Sequence, residues 1–187
     1  GIVQGGTYEQ LRERSAQMTV DIGFDGYAIG GLSVGESRRE MLDALDAALP
    51  HLPLEAPRYV MGVGTPMDIL ECARRGVDLF DCVLPTRNAR HGRLMTWCGP
   101  LNIGRREFAT DERPIDPDCS CPACRNYSRG YLHHLHRAQD AAAWTLLSLH
   151  NLRFYAELME RLRAAVAGDC IAQLARELSP WTQRDTQ

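Results

Sequence analysis

Short apolar runs alternate with amphipathic segments over the first 84 residues of the chain. The four runs occupy residues 2–3, 27–29, 59–61 and 79–84. Each run predicts a β-strand, and strands that are apolar along their whole length are typical of parallel sheets covered on both faces. The segments between the runs have the apolar spacing of amphipathic helices, so the pattern predicts four strand–helix units.

The helices of these units carry start and end signals. Two segments match a capping box, in which a Ser or Thr caps the helix and a Glu or Gln three residues later caps in return. A third segment has proline at its first helical position, and a glycine marks one helix end. The residues concerned are Thr7 with Gln10, Ser37 with Glu40, Thr65 with Pro66, and Gly76.

Glycine and polar residues collect where each predicted strand ends. These ends are Gln4-Gly5-Gly6, Gly30-Gly31-Leu32, Met61-Gly62-Val63-Gly64 and Asp81. The carboxyl ends of parallel strands form the active face of an eight-unit barrel. Neither glycine-rich turn has the spacing of a dinucleotide fingerprint or the Lys of a P-loop. The pattern therefore favours an α/β fold that is the C-terminal half of a (β/α)₈ TIM barrel, rather than a small doubly wound sheet.

Three of the seven cysteines, Cys119, Cys121 and Cys124, lie within six residues of one another. Thiolates this close can bind a soft tetrahedral cation such as Zn²⁺, and a closed structural zinc site needs a fourth ligand. The candidates for that ligand are His133, His134, His136 and His150. Three free buried thiols are the alternative. The odd, clustered cysteines argue against a disulfide framework and for a reducing, cytoplasmic compartment.

The plan of the chain changes after Leu84. Residues 93–97 and 101–103 predict a β-hairpin, and residues 138–167 predict one long amphipathic helix. We expect four regions: the half barrel at 1–92, the hairpin with a zinc-binding subdomain at 93–137, C-terminal helices packed on the zinc site at 138–180, and a disordered tail at 181–187.

Composition and charge limit the possible partners. The 187 residues are 44% hydrophobic and 24% charged with a net charge of −3, which is typical of a globular protein without an overall basic field. No apolar run reaches the roughly 18 residues that a membrane helix needs. Residues 87–137 nevertheless hold nine Arg and four His against five acidic residues. That excess can form a phosphate-contacting patch, and a solvated surface explains it equally well.

Three side chains at strand ends are candidates for chemistry. Asp81 ends an apolar run, where a buried carboxylate costs several kcal/mol unless it is paired or functional, so it is either a nucleophile or general base, or a structural hydrogen-bond acceptor. Gln4 has the donors and the acceptor to read the edge of a heterocyclic base, or it stabilises a turn. Met61 either walls a flat-ligand pocket or belongs to the core.

Five motifs in this order resemble the bacterial tRNA-guanine transglycosylases, also called queuine tRNA-ribosyltransferases. They are residues 1–5, 26–32, 61–64 and 80–87, and the Cys119, Cys121, Cys124 cluster followed by His150 and Asn151. The resemblance covers only the C-terminal half of that family's chain. It implies a (β/α)₈ barrel with an inserted zinc subdomain, and a pentosyltransferase that exchanges guanine at the tRNA wobble position for 7-aminomethyl-7-deazaguanine in queuosine biosynthesis.

The resemblance also implies roles for individual residues. Asp81 is the nucleophile that forms a covalent glycosyl intermediate, as carboxylates do in retaining glycosidases. The base contacts are Gln4, Gly31, Leu32, Val34, Met61 and Gly62, and Val34 favours the bacterial substrate. The tRNA contacts are Arg87, Asn88, Ala89, Arg90 and His91, where Ala89 and His91 replace an expected Gly and Asn. The structural zinc ligands are Cys119, Cys121, Cys124 and His150.

A chain that opens directly on a buried strand indicates a fragment of a longer protein. In the family, the preceding half supplies a general acid/base Asp and the opposite wall of the base pocket, so we expect negligible exchange by these residues alone. Two open sheet edges predict self-association, and the family's zinc subdomain and long helix predict a homodimer. The other hypotheses are a non-catalytic, zinc-stapled tRNA-binding module and an archaeal-type relative, against which the absence of an RNA-binding domain after the long helix counts.

Overall fold

The computed structural model describes residues 1–182 and divides them into two compact units, the first ending at Cys82 and the second starting at Val83. The strands are β1 (Ile2–Val3), β2 (Tyr27–Ile29), β3 (Arg58–Val60), β4 (Leu79–Phe80), β5 (Arg93–Leu94) and β6 (Leu101–Asn102). The helices are α1 (Glu9–Ile22), α2 (Arg38–Ala48), α3 (Pro66–Arg74), α4 (Leu84–Arg90), α5 (Pro122–Asn126), α6 (Arg129–Arg137), α7 (Ala141–Ala167), α8 (Ile171–Glu177) and α9 (Ser179–Thr182).

The first unit is a four-stranded parallel sheet in the order β1-β2-β3-β4, with the helices α1 to α3 in the connections. One register row, Val3, Ile29, Val60 and Phe80, packs in a core with residues of these helices, among them Ala16, Leu45 and Cys72. Strand alternation places the neighbouring row on the opposite face. The α/β class with a parallel sheet is confirmed.

The neighbouring row consists of Ile2, Ala28, Tyr59 and Leu79. Ile2 and Leu79 at its two ends are each 53% exposed, and Ala28 and Tyr59 between them are half-buried. The expectation that both faces of the sheet are covered is therefore not met within residues 1–182. One face of the strands packs on helices. The opposite face is also apolar, but no element of residues 1–182 covers it.

Two of the predicted helix-start signals are confirmed, and one is wrong. Ser37 forms the expected capping box with Glu40, and Thr65 caps α3 with proline at the first turn. The capping box at Thr7 is wrong, since Tyr8 precedes α1 and makes no side-chain cap. The strand predicted over residues 79–84 is wrong beyond Phe80, because Pro85 lies in the first turn of α4, which starts at Leu84.

The second unit combines a two-stranded hairpin with a helical array. The antiparallel pair β5–β6 confirms the predicted hairpin in a shorter form, and α7 confirms the long helix from Ala141 onward. Its core includes Leu94, Ile103, Leu132 and Leu147. Within residues 1–182, no helix is both long and apolar enough to cross a bilayer.

The predicted tail at 181–187 lies largely outside the described residues. Its first member, Trp181, is buried in α9, and its indole Nε1–H donates to the carbonyl of Thr96 at 3.1 Å.

Asn151 joins α7 to the hairpin and to α4. Its Oδ1 accepts from the backbone N–H of Met95 at 2.9 Å, and its Nδ2 donates to the carbonyls of Pro85 at 2.9 Å and Arg93 at 3.1 Å. The residue is fully buried, and its hydrogen bonds with Met95 and Pro85 are buried as well, so water is a poor substitute for the side chain there. One side chain therefore satisfies three main-chain groups of the second unit.

We expect Asn151→Ala to lower the free energy of unfolding by about 3 kcal/mol, because three buried backbone groups lose their partner. Chemical denaturation of the second unit measures this loss. Glu160→Ala, at an exposed position of the same helix, is the matched control and should change stability by no more than about 0.5 kcal/mol. Equal effects of the two substitutions would contradict the anchoring role of Asn151.

Candidate functional site

Asp81 lies directly after β4 and is held by two groups that follow from β3. The Tyr59 hydroxyl donates to its Oδ1 at 2.5 Å, and the backbone N–H of Gly62 donates to the same oxygen at 3.0 Å. The Tyr59 hydrogen bond, with that of Gly62, lowers the pKa of the Asp81 carboxyl, against a small opposing effect of burial. The side chain is exposed rather than buried, so its position calls for no compensating ion pair.

This geometry leaves the carboxylate ionised at neutral pH with one fixed oxygen. Both hydrogen bonds reach Oδ1, so neither engages Oδ2. An oriented, ionised carboxylate can act as a nucleophile toward an electrophilic carbon or as a base. Sequence reasoning missed Tyr59, although its place in the half-buried row beside Leu79 marks it as a side chain on the open face.

Gln4 lies against the turn that follows β2. A Cβ built on Gly30 would lie 2.6 Å from Gln4 Nε2, and one built on Gly31 would lie 2.6 Å from Gln4 Oε1. Both positions therefore exclude a side chain, and Gly31 also has a positive φ of 67°. The turn keeps backbone rather than side chain beside the carboxamide. The structure thus brings Gln4 and Gly31 together.

The turn after Gly31 is organised by a carboxylate. Leu32 is buried, whereas Val34 is 82% exposed. The Glu36 carboxylate accepts from the backbone N–H groups of Ser33 and Val34. Although partial burial opposes ionisation, these hydrogen bonds hold the pKa of Glu36 below its usual value. Sequence reasoning missed Glu36, and no local pattern marks it, because its hydrogen bonds belong to a turn without regular structure.

Met61 and Gly62 follow β3 on the same side of the sheet as Asp81. Met61 is half-buried. Gly62 has a positive φ of 75°, and this conformation turns its N–H toward the Asp81 carboxylate. The glycine at this position is therefore required by the backbone that orients Asp81.

The five residues from Arg87 to His91 form most of α4 and its C-terminal cap rather than a loop. Arg87, Arg90 and His91 are exposed, whereas Ala89 is fully buried in the core of the second unit. Ala89 thus anchors the helix, and the arginines on either side remain at the surface. Nine arginines lie between residues 87 and 137. Among the described residues, Arg105, Arg113 and Arg129 each form an ion pair with an acidic side chain at 4 Å or less.

Cys119, Cys121, Cys124 and His150 form a cluster capable of binding a metal. Their sulfur and nitrogen atoms all lie within 4.8 Å of one another. The His150 Nδ1 lies 3.6 Å, 3.7 Å and 3.3 Å from the sulfurs of Cys119, Cys121 and Cys124 respectively. Within residues 1–182 no other His, Cys, Asp or Glu side chains form such a group. His150 is therefore the histidine that meets the thiols, and His133, His134 and His136 are not.

The surroundings of the cluster fit a positive ion. The His150 Nε2 lies 2.8 Å from the Met95 carbonyl, an arrangement that fixes the proton on Nε2 and frees Nδ1 for the cluster. Hydrogen bonding from Cys124 lowers the pKa of the Cys121 thiol to about 3. Burial opposes protonation of His150, yet hydrogen bonds with Cys119 and Cys121 raise its pKa to about 9. The same hydrogen bond raises the pKa of the Cys124 thiol, so without an ion the site holds the Cys121 thiolate beside a protonated His150, and a metal ion would replace the remaining protons.

Loss of one thiolate should release the bound metal. We expect Cys124→Ser to lose bound metal, measured by elemental mass spectrometry, and to unfold at a lower temperature, since metal binding contributes to folding. Cys98→Ser is the matched control, because Cys98 is exposed and outside the cluster. Equal metal content in the two variants would show that the cluster does not bind the ion.

Comparisons with known proteins place this geometry in a family. The model of the family described as "TGT: Queuine tRNA-ribosyltransferase" matches residues 1–182. Proteins named queuine tRNA-ribosyltransferase are 55% identical over 166 residues in Solidesulfovibrio magneticus, 54% over 176 in Nitratidesulfovibrio vulgaris and 50% over 185 in Clostridium perfringens.

These alignments cover 89%, 94% and 98% of this chain but 44%, 47% and 49% of the relatives. The chain therefore spans about half the length of the relatives that it matches. The family match extends across both units and includes the strand ends, Asp81 and the Cys₃His cluster. The chain belongs to the queuine tRNA-ribosyltransferase family.

Proposed function

We propose that this chain supplies the nucleophile and one wall of the base pocket of a tRNA-guanine transglycosylase. The enzyme exchanges guanine at the anticodon wobble position for 7-aminomethyl-7-deazaguanine. The observation that carries the proposal is the Asp81 carboxylate, held by Tyr59 and Gly62 at the strand edge that also bears Gln4 and Gly31. The family match supports the same reaction.

The proposed reaction is a double displacement at the ribose. An Asp81 oxygen attacks C1′, the C1′–N9 bond breaks, and its electron pair leaves with guanine, which takes a proton from a general acid. N9 of the incoming base then gives up a proton and attacks C1′, so that the ester bond to Asp81 breaks. The hydrogen bonds at Oδ1 orient the carboxylate for the first step and stabilise it as the leaving group of the second.

Base recognition is assigned to the strand ends of the first unit. The Gln4 carboxamide, the Gly31 N–H and the Leu32 carbonyl would bind polar atoms of the base, Met61 would stack on the ring, and Gly62 would lie near the ribose. Support comes from the contact of Gln4 with the glycine turn. Val34 would border the aminomethyl group of the bacterial substrate.

Zinc is the metal that we assign to the Cys₃His cluster. Three sulfurs and one imidazole nitrogen make a closed tetrahedral set, which is typical of a structural zinc ion without catalytic coordination. The ion would tie the segment 119–124 to α7. Residues of α4 and its C-terminal cap would contact the tRNA backbone around the flipped nucleotide, namely Arg87, Asn88, Arg90 and His91.

We further propose that the sequential parallel order β1-β2-β3-β4 is the second half of a (β/α)₈ barrel. A doubly wound sheet reverses its strand order at a switch point, and this sheet does not. The open row that includes Ile2 and Leu79 would then face the barrel interior. A homodimer through the second unit is supported by apolar side chains exposed on α7, among them Trp144, Leu149 and Leu152.

Removal of the nucleophile should abolish exchange without abolishing tRNA binding. We expect Asp81→Asn to reduce base exchange by a factor of about 10⁴ or more, because an amide does not form the glycosyl ester. Incorporation of radiolabelled guanine into tRNA measures the reaction, with this chain completed by the N-terminal half of a relative where activity requires it. Asp25→Asn, an exposed carboxylate before β2, is the control and should retain full activity.

The same assay separates the alternatives. Full activity of Asp81→Asn would contradict the mechanism. No exchange by the completed wild-type protein, with tRNA binding intact, would favour a non-catalytic zinc-stapled RNA-binding module. We expect the 187-residue chain alone to show negligible exchange, since the resemblance places the general acid/base outside these residues.

A further inference from the structure

A buried arginine joins the first two strand ends of the first unit. Arg12 lies on α1 and is fully buried. Its Nε donates to the Gly6 carbonyl at 2.7 Å, its Nη1 to the Gly30 carbonyl at 2.8 Å and its Nη2 to the Gly31 carbonyl at 3.2 Å. One planar guanidinium therefore connects the turn after β1 to the turn after β2.

The carbonyls that Arg12 binds belong to the peptide units of the base-binding turn. The Gly30 carbonyl and the Gly31 N–H are two ends of one peptide group, and the Gly31 carbonyl shares the next peptide group with the Leu32 N–H. A charge-assisted hydrogen bond to a carbonyl withdraws electron density from its peptide group. The N–H at the other end then becomes a stronger donor, because hydrogen bonds in a chain polarise one another.

The arginine is held by carbonyls instead of a carboxylate. Residues 1–182 place no acidic oxygen within salt-bridge distance of its guanidinium, although Glu36 attracts it from further away. Burial lowers the pKa of Arg12, but a guanidinium stays protonated in proteins. A buried cation without an ion pair is costly, so the three hydrogen bonds are what stabilise it here.

The backbone of the turn that Arg12 binds is closely packed against neighbouring groups. Gly30 and Gly31 are pressed against the Gln4 carboxamide, and a Cβ built on Gly5 would lie 2.8 Å from the backbone nitrogen of Arg12 itself. The turns of β1 and β2 and the first half of α1 thus pack directly on one another. The guanidinium therefore binds the same turn that lies against Gln4.

We propose that Arg12 is a positioning residue for base recognition, which fixes the Gly30–Gly31 turn against Gln4 and strengthens the Gly31 N–H as a donor to the purine-like base. The inference rests on the proposed function, because the base is the ligand of that turn. Arg12 itself does not contact the base. Its contribution is to the affinity and selection of the base, and not to attack by Asp81.

A second buried arginine provides the matched control. Arg58 starts β3 at the opposite end of the strands, and its guanidinium donates to the carbonyls of Leu52 at 2.6 Å and Pro53 at 3.2 Å. It is as deeply embedded as Arg12, with 6% exposure. A purely structural role for both residues predicts equal consequences when either is changed to lysine.

The first test is hydrogen exchange of the backbone amides, which needs no enzymatic activity. We expect Arg12→Lys to accelerate exchange of the Gly30 and Tyr8 amides by roughly tenfold. These amides donate to the carbonyls of Val3 at 3.0 Å and Gly5 at 3.2 Å within the two joined turns, and a lysine donates from one point and cannot hold three carbonyls of those turns. Arg58→Lys should leave these amides unchanged. Unchanged exchange in Arg12→Lys, or equal acceleration in both variants, would overturn the proposal whether or not the protein is a transglycosylase.

The second test is steady-state exchange with 7-aminomethyl-7-deazaguanine and tRNA, using the completed enzyme. We expect Arg12→Lys to raise the KM for the base roughly tenfold, with kcat and the KM for tRNA within about twofold of wild type. Arg58→Lys should lower only the unfolding temperature. A fall in kcat with an unchanged KM for the base would overturn the positioning role.

Arg12→Gln is the second variant, used if Arg12→Lys does not fold. Its carboxamide is uncharged and keeps an NH2 group that can donate to a carbonyl. It should show the same rise in KM on its folded fraction, and a wild-type KM would again overturn the proposal. An inactive wild-type enzyme would contradict the proposed function. The hydrogen-exchange result would then decide by itself whether Arg12 holds the Gly30–Gly31 turn.

Discussion

The strands of this chain are two or three residues long, so hydrogen bonds between strands satisfy only a small part of the backbone that surrounds the site. The remaining N–H and C=O groups of the turns must find partners elsewhere, because buried backbone groups without partners destabilise a fold. A few polar side chains, some of them buried, meet this demand. Arg12 binds three carbonyls, Asn151 binds three main-chain groups, and Glu36 accepts two amides. The turns that carry chemistry are therefore positioned by side chains.

The same constraint explains how the second unit is held. His150 and Asn151 are neighbours on α7, and both bind the backbone of Met95 in the segment after β5. The histidine that completes the Cys₃His cluster is thus oriented by the chain segment that its neighbour anchors. Metal binding at this cluster would consequently be coupled to hairpin docking through one turn of α7. A structural ion at this place stabilises the hairpin as well as the cysteine loop.

Local sequence signals predicted the helices and strands. The candidate site, in contrast, is built from contacts between residues that are far apart in the sequence. The caps at Ser37 and Thr65 could be predicted because each involves residues three apart. The Cys₃ cluster was evident from its spacing, but spacing left four histidines open until the structure brought His150 to the thiols. Arg12 and Tyr59 could not be predicted as site residues, since their partners in the Gly30–Gly31 turn and at Asp81 are 18 to 22 positions away. Nothing in the neighbouring sequence distinguishes them from residues of an ordinary helix or strand.

In the proposed base exchange, the hydrogen bonds of Asp81 act on both displacements. Hydrogen bonds that lower the pKa of a carboxylate weaken it as a nucleophile and make it a better leaving group. In a base exchange the first and second displacements are nearly mirror images, so neither property can be maximised at the expense of the other. Tyr59 and Gly62 bind the same oxygen, and this leaves the other oxygen outside both hydrogen bonds. In the proposed reaction, a carboxylate stabilised at one oxygen and free of those bonds at the other would bond to the ribose in one step and release it in the next.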